Sequence, residues 1–222
     1  MRQHVTGVVL RVQGGYARQG RVAATSAAVQ FLAELRRAIG AAGRADPRSW
    51  ALVLDGLPDA LSVPSHGSLS RPTRAERSIF TALTTYAIHQ QGQRQPMHVA
   101  GVTLGQATRR LARQRVRGEG AGDLDEQVVQ RLHRVSLAQT DELRAHALRG
   151  LVTLMKGAAS PVALDYGRLA QDIYWLLTPS TAASVHLNWG RGLHSRFADE
   201  RQDGINNPPE TDTQTSTPGA PA

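Results

Sequence analysis

The amino-acid sequence predicts an all-α fold of about eight or nine helices. Apolar residues recur every three or four positions through most of the chain, as they do along one face of a helix. No segment alternates apolar and polar residues between hairpin turns, which is the pattern of a strand. Pairs of capping residues precede several of the apolar runs. With 222 residues and no cysteine, the chain is long enough to bury a core without disulfides.

Three helices are predicted before residue 58. Ser26 is a candidate cap for the second, and Asp46-Pro47 combines a cap with a proline at the first helical position of the third. Residues 58–71 contain two prolines, a glycine and four serines, which predicts a loop. The residues that define the three helices are Val5, Val8, Val12 and Tyr16, then Val29, Leu32, Leu35 and Ile39, then Trp50, Leu54 and Leu57.

Six further helices are predicted after this loop. The residues that mark the starts of five of them are Thr73 with Glu76, Thr103, Asp123 with Glu126, Thr140, and Ser160-Pro161. Thr178-Pro179 stops the last of these five, and a final helix reaches Phe197. The predicted buried residues include Leu104, Ala107 and Leu111 after Thr103, and Leu143, Ala147 and Leu151 after Thr140.

The charge of the chain is strongly positive and unevenly distributed. The net charge is +8, and 25 of the 26 basic residues are arginine, a ratio that a GC-rich genome explains. Residues 1–118 hold 17 arginines and five acidic residues, residues 119–202 are nearly neutral, and residues 203–222 hold three acidic residues. We therefore expect a polyanion partner, a basic N-terminal helical domain over residues 1–120, a C-terminal helical bundle over 121–202, and a disordered tail over 203–222.

The strongest local signal is QATRRLARQRVRG over residues 106–118, which has five arginines and no acidic residue. In a helix, Arg109, Arg113 and Arg117 lie one turn apart and form a stripe, with Arg110 at its border. The stripe is either a phosphate-binding face or a solvated face of an arginine-rich protein. The candidate nucleic-acid-binding residues are Arg109, Arg110, Arg113 and Arg117, then Arg131 and Arg134 on the next helix, and more weakly Arg36 and Arg37.

No catalytic or metal-binding motif is present in the sequence. The eight histidines show no metal-ligand spacing, and the carboxylates lie mostly at helix starts, where capping explains them. We assign a structural role to His89, in a last helical turn where the dipole favours a cation. We therefore expect no enzymatic activity, no metal and no cofactor.

No apolar run of about 18 residues or signal-peptide pattern is present, so we expect a soluble, cytoplasmic protein without membrane contact.

Two C-terminal segments, YGRLAQDIYWLL and VHLNWGRGLHSRF, resemble the signature of the CasB family, the small subunit of the type I-E CRISPR surveillance complex Cascade. Four earlier segments, LAELRRAIG, AIHQQG, LGQATRRLARQ and LRGLVTLMKG, resemble this family in the same order, so that the resemblance covers roughly residues 5–197. The matching C-terminal residues are Asp165-Tyr166, Leu169-Ala170, Ile173-Tyr174-Trp175 and Trp189-Gly190-Arg191.

The resemblance implies an N-terminal helical part packed on a C-terminal helical bundle, with two copies side by side in a ribonucleoprotein. It implies a non-catalytic subunit whose partners are guide RNA, the target and displaced DNA strands, and other Cascade subunits. Its role would be to bind nucleic-acid backbones without sequence specificity and to stabilise the guide RNA–target DNA R-loop.

Two other classes of protein are alternatives on the residues alone. A helix-turn-helix transcription regulator needs a polar reading helix after a short turn, whereas the segment after residues 40–46 is apolar (Trp50 to Leu54). A helical nuclease needs clustered carboxylates for metal ions, and the basic part of the chain has only five acidic residues.

Overall fold

Ten α-helices make up most of this computed structural model, which describes residues 1–16, 24–38, 46–62, 72–116 and 124–194. The predicted all-α class is confirmed, and in these ranges the only strand-like pairing is a single bridge between His98 and Leu164. No helix in the described ranges is long and apolar enough to span a membrane. The helices are α1 (Arg2–Tyr16), α2 (Ser26–Arg37), α3 (Pro47–Leu54), α4 (Asp59–Ser62), α5 (Arg74–Gln90), α6 (Leu104–Arg115), α7 (Glu126–Ser136), α8 (Asp141–Lys156), α9 (Tyr166–Leu176) and α10 (Pro179–His194).

Helix α5 is the centre of the fold, with 13 of its 17 residues buried. The predicted capping box begins it: Thr73 Oγ1 accepts from the backbone N–H of Glu76 at 3.1 Å, and Glu76 Oε2 accepts from the N–H of Thr73 at 2.6 Å. Inside the helix, Thr84 donates its hydroxyl to the carbonyl of Phe80 at 2.8 Å, so this polar side chain is satisfied although it is buried. The helix can therefore pack on all sides, against α1, α2, α3, α4, α8 and α9.

Glycines let two helix pairs approach until their backbones touch. A Cβ on Gly105 of α6 would overlap the carbonyl oxygen of Trp189 in α10 and lie 2.9 Å from that carbonyl carbon. A Cβ on Gly192 of α10 would lie 2.9 Å from the backbone nitrogen of Gln106. In the same way, a Cβ on Gly167 of α9 would overlap a side-chain atom of α1. Real Cβ atoms do not approach other atoms this closely, so glycine is required at these contacts.

One continuous cluster of buried apolar side chains runs from α1 to α10. Helix α5, from the predicted N-terminal part, packs directly on α8 and α9 of the predicted C-terminal bundle. The boundary near residue 120 lies in a stretch, 117–123, outside the described residues, and the division into two parts stays a prediction. The predicted tail, 203–222, also lies outside the described residues.

Several predicted helix ends are wrong by a few residues or more. Residues 59–62, within the predicted loop, form the short helix α4, whereas 63–71 lie outside the described residues. Ser160-Pro161 does not begin a helix, because the chain that follows pairs with residues 97–99: the N–H of Leu164 donates to Met97 at 3.2 Å. Thr25 instead of Ser26 caps α2, and Asp125 instead of Asp123 caps α7. Phe197 lies outside the described residues.

A buried polar network holds α9 against α1 and α5. His89 Nδ1 and the hydroxyl of Tyr166 are 2.7 Å apart, and the backbone N–H of Tyr166 donates to His98 Nδ1 at 3.1 Å. Asp165, which caps α9, also accepts from Arg2 at 3.1 Å. Burial, and next the charge of Lys156, lower the pKa of His89 to about 3. The ring of His89 is therefore neutral and buried, the helix dipole does not hold it as a cation, and its role is structural, as the sequence predicts.

The buried histidine predicts an acid-sensitive fold. Its pKa is about 3 when folded and 6.5 when exposed, so below pH 6.5 the unfolded chain takes up a proton that the folded chain does not. Each pH unit below 6.5 then lowers the free energy of unfolding by about 1.4 kcal/mol for this residue. We expect the difference in unfolding free energy between wild type and His89→Gln to fall by about 2 kcal/mol from pH 7 to pH 5. Urea unfolding at each pH measures this, and a difference independent of pH would contradict the assignment.

Candidate nucleic-acid interface

Helix α6 carries the predicted arginine stripe. Its capping box is formed by Thr103 and Gln106: Thr103 Oγ1 accepts from the N–H of Gln106 at 3.3 Å, and Gln106 Oε1 accepts from the N–H of Thr103 at 2.9 Å. The three residues predicted to face inward are buried, which fixes the rotation of the helix: they are Leu104, Ala107 and Leu111. On the outer side, Arg113 is exposed and Arg110 is half-buried. Because they are three residues apart, Arg110 and Arg113 lie on the same face.

Arg109 does not belong to an exposed stripe, so that part of the prediction is wrong. Its side chain is only 5% exposed, and its Nη1 donates to the carbonyl of Leu193 at 2.9 Å. Leu193 is in the last described turn of α10, and a cation is favoured near the C-terminal end of a helix. The contact between Gly105 and α10 is so close that α10 covers the side of α6 on which Arg109 lies. Arg109 therefore stabilises the end of α10.

We expect Arg109→Ala to lower the free energy of unfolding by about 2 kcal/mol, because a buried, charge-assisted hydrogen bond to the carbonyl of Leu193 is lost. Arg113→Ala is the matched control on the same helix, and we expect it to change stability by less than about 0.5 kcal/mol, since Arg113 is exposed. Urea denaturation of both variants is the measurement. Equal unfolding midpoints for the two variants would contradict the role of Arg109.

Arg131 and Arg134 lie on α7, which packs against α6. They line a groove of about 490 Å³ between α7 and α8. The side chain of Arg131 reaches α8: a Cβ on Gly150, which is in α8, would lie 3.4 Å from Nη1 of Arg131. Arg134 is exposed. The helix that follows the arginine-rich segment thus does return alongside α6. That the two helices form one nucleic-acid-binding face stays a prediction.

Other arginines use their charge within the protein. Arg115 Nε donates to Asp125 at 2.9 Å, which joins the end of α6 to the start of α7 and lowers the pKa of that carboxyl group. Asp141, at the start of α8, contacts both Arg77 of α5, at 2.8 Å, and the buried Arg144, at 3.5 Å. A positive net charge on the chain is therefore a poor guide to which arginines face a partner.

The remaining candidates lie in two places. Arg37 is exposed and pairs with Glu34 at 3.3 Å, and Arg36 is half-buried beside Lys156. Burial, and then the charge of Arg36, lower the pKa of Lys156. Arg117 lies outside the described residues. Among the residues that are described, no three His, Asp or Glu side chains come together in a way that could hold a metal ion.

The prediction that Leu143 lies in the core is wrong. The side chain of Leu143 is 58% exposed, and the next residue, Arg144, is buried instead. The buried side of α8 is defined by Leu148, Leu151 and Met155, and a helical wheel through these residues places Arg144 inward and Leu143 outward. The signal was therefore present in the sequence. Together with Leu137, which is 67% exposed, Leu143 gives the basic groove an apolar wall.

Comparison with known proteins identifies the family. A family model for the CRISPR-associated protein Cse2 matches residues 31–194. The chain belongs to the Cse2 family. Among solved structures, this Cse2 protein is similar to CasB from Thermobifida fusca, with 34% identity and a TM-score of 0.67 over 87% of this chain and 97% of that one. The resemblance to CasB found in the sequence is thereby confirmed.

Two further structures, both from Thermus thermophilus, share the fold. One is a CRISPR-associated protein of the Cse2 family and the other is CasB. Each has 20% identity and a TM-score of 0.58, over 86% of this chain and 96% of the other. No curated protein matches the sequence.

Most of the C-terminal residues that resemble CasB are buried in this Cse2 protein, whereas Arg191 is exposed. Trp189 Nε1 donates to the buried Asp172 at 2.8 Å, and Arg168 Nε donates to the same carboxylate at 2.9 Å. Burial raises the pKa of Asp172, and these two donors oppose the rise. The bond between Trp189 and Asp172 connects α9 to α10, and α10 in turn packs against α6, the helix that carries the candidate arginines.

Proposed function

We propose that this Cse2 protein is the non-catalytic small subunit of a CRISPR RNA-guided surveillance complex of the Cascade type. It would bind nucleic-acid backbones without sequence specificity and stabilise the R-loop formed by guide RNA and target DNA. Its partners would be the guide RNA, the target and displaced DNA strands, other Cascade subunits and a second copy of itself, all in the cytoplasm. Family membership, with similarity to CasB over 87% of the chain, carries the proposal.

The positions of the arginines support this role. Arg110 and Arg113 share the outer face of α6, and Arg131 and Arg134 line a groove beside the neighbouring helix α7. The planar guanidinium group donates two parallel hydrogen bonds, a geometry that suits phosphate. Exchange of a DNA duplex for an RNA–DNA hybrid is nearly balanced in free energy, so backbone contacts from a protein can decide its outcome.

The alternative of a helix-turn-helix regulator has no support in the fold. Helix α3, which would read the bases, contains the fully buried Val53 and packs against α2 and α5. The ring of Trp50, on the same helix, has its centroid 4.8 Å from that of Phe80 in the core. A helix committed to the core in this way does not present a polar face to a DNA groove.

The salt dependence of binding tests the proposal on the isolated subunit. Log affinity should fall linearly with log salt concentration, by about 0.7 to 0.9 for each phosphate contact. Two DNA duplexes or RNAs of unrelated sequence should bind alike. Binding that ignores salt, or that strongly prefers one sequence, would contradict the proposed backbone contacts.

We expect no nuclease activity, because the sequence contains no motif with clustered metal ligands or a paired acid and base. Incubation of pure protein with Mg²⁺ or Mn²⁺ and labelled DNA or RNA should leave the strands intact, as seen on a denaturing gel. Cleavage that co-purifies with the protein and disappears on replacing a specific Asp or Glu would show that the subunit is an enzyme.

A further inference from the structure

Two grooves flank the C-terminal half of α7 and meet at shared residues. The groove between α7 and α8 has a volume of about 490 Å³, and a second groove, between α7 and α10, has about 390 Å³. His133 and Leu137 line both. The two grooves therefore form one continuous surface across three helices, which we call the α7 surface.

The α7 surface exposes leucines that the fold does not use. Leu137 and Leu143 are 67% and 58% exposed, and both line the α7–α8 groove. Leu143 lies opposite the buried side of α8, so no rearrangement of the helix would bury it without exposing the core. Burial of exposed leucine side chains against a partner is favourable, and adjoining exposed apolar side chains rimmed by polar residues are typical of interaction sites.

The polar rim of the α7 surface is basic. Arg131 and Arg134 line it together with His133 and His146. In the described part of the chain, neither groove is lined by an aspartate or a glutamate. Complementary charge therefore calls for a partner that carries carboxylates or phosphates around apolar groups.

The apolar wall favours protein over nucleic acid as that partner. Nucleic acid would satisfy the arginines, but its phosphates and sugars gain little from covering leucines, and bases stack on exposed aromatic rings. The one tryptophan in the lining, Trp189, is only 1% exposed. An apolar helix or strand flanked by carboxylates would satisfy both the leucines and the arginines.

We infer that the α7 surface is a docking site for an acidic, apolar segment of another protein. Within the proposed function, on which this inference rests for the identity of the complex, that protein is a neighbouring subunit. The docking site and the outer face of α6 then have different partners: Leu137 and Leu143 bind protein, and Arg110 and Arg113 face nucleic acid. Arg131 and Arg134 lie on α7, which packs against both α6 and α8, and they meet negative charge from either partner.

Two assays on full-length protein test the docking site. The first measures how much of each variant joins the complex when it is co-expressed with a guide RNA and the other subunits of the proposed complex. The second measures, by fluorescence anisotropy, binding of a labelled helical peptide with leucine at every third or fourth position and glutamate elsewhere. A twin peptide with lysine in place of glutamate controls for charge.

The test variant is Leu137→Ser with Leu143→Ser, and Leu143→Ser alone serves if the double variant folds poorly. The control is Leu10→Ser on α1, because Leu10 is similarly exposed, at 52%. We expect the double variant to bind the peptide about tenfold more weakly and to occupy about tenfold fewer complexes, because contacts at the centre of an interface carry most of its binding energy. Leu10→Ser should change neither quantity. The glutamate peptide should bind at least about tenfold more tightly than its lysine twin.

Several outcomes would overturn the docking site. Unchanged peptide binding and occupancy in the double variant would show that the leucines contact nothing. Tenfold weaker DNA binding by the double variant would assign the surface to nucleic acid, and a dimer of wild type that the double variant cannot form would assign it to a second copy. Tighter peptide binding after removal of residues 203–222 would assign it to the chain's own tail. If wild type itself does not join the complex, the proposed function fails, and the peptide assay still decides the docking site.

Discussion

Gly105→Ala should lower the free energy of unfolding by about 3 kcal/mol, although it adds only one methyl group. The new Cβ would overlap the carbonyl oxygen of Trp189 and lie 2.9 and 3.0 Å from the carbonyl carbon and the Cα. All three are backbone atoms, so no side-chain rotation can relieve the overlap. Helices α6 and α10 would have to separate, which would also loosen the bond from Arg109 to Leu193.

Gly7→Ala is the matched control for this substitution. Gly7 is also inside a helix, α1, but a Cβ there has no atom within 4 Å. Alanine is a better helix former than glycine by about 0.5 to 1 kcal/mol, so we expect a small gain in stability. Urea unfolding of the two variants is the measurement. A Gly105→Ala protein as stable as the Gly7→Ala protein would contradict the backbone contact between α6 and α10.

Removal of four arginine charges from α6 and α7 should give the largest effect on binding. We expect a variant with glutamine at positions 110, 113, 131 and 134 to bind DNA and RNA about 100-fold to 1,000-fold more weakly at low salt. Exposed ion pairs contribute up to about 1 kcal/mol each, and four of them together account for this loss. The slope of log affinity against log salt should decrease by about 0.7 to 0.9 for every phosphate contact removed.

A second variant tests whether binding depends on where the arginines lie or only on the net charge of the protein. Glutamine at Arg11, Arg48, Arg74 and Arg94 removes the same charge from exposed arginines elsewhere on the protein. Both variants should unfold near the wild-type urea concentration, because the substituted side chains are at least partly exposed. We expect the second variant to keep most of its affinity. Equal losses in the two variants would show that binding follows overall charge and would remove α6 and α7 as the interface.

The predictions that held are those set by neighbouring residues in the chain. The capping box of Thr73 and Glu76 forms as expected, because both partners lie within one helical turn. The start of α9 could not be predicted in this way. Residues 97–99 hold the preceding segment by backbone hydrogen bonds, and these partners are more than 60 residues away.

The candidate site was predictable in composition but not in exposure. The concentration of arginine on α6 is plain in the sequence, whereas the burial of Arg109 depends on how closely α10 approaches. That approach is set by Gly105 and Gly192, which are 87 residues apart, and single-helix periodicity does not contain it. Leu143 differs, because the phase of α8 alone would have placed it outside.

We propose that this Cse2 subunit stabilises R-loops through contacts from α6 and α7 to nucleic-acid backbones. The most direct measurement is R-loop formation on a matched target by the guide-RNA complex, assembled without the subunit, with wild type, or with a variant carrying glutamine at positions 110 and 113 only, which leaves the α7 surface intact. We predict that R-loops form poorly without the subunit, that wild type restores them, and that the variant joins the complex but restores them only weakly. R-loops that form equally well in all three complexes would contradict the claim.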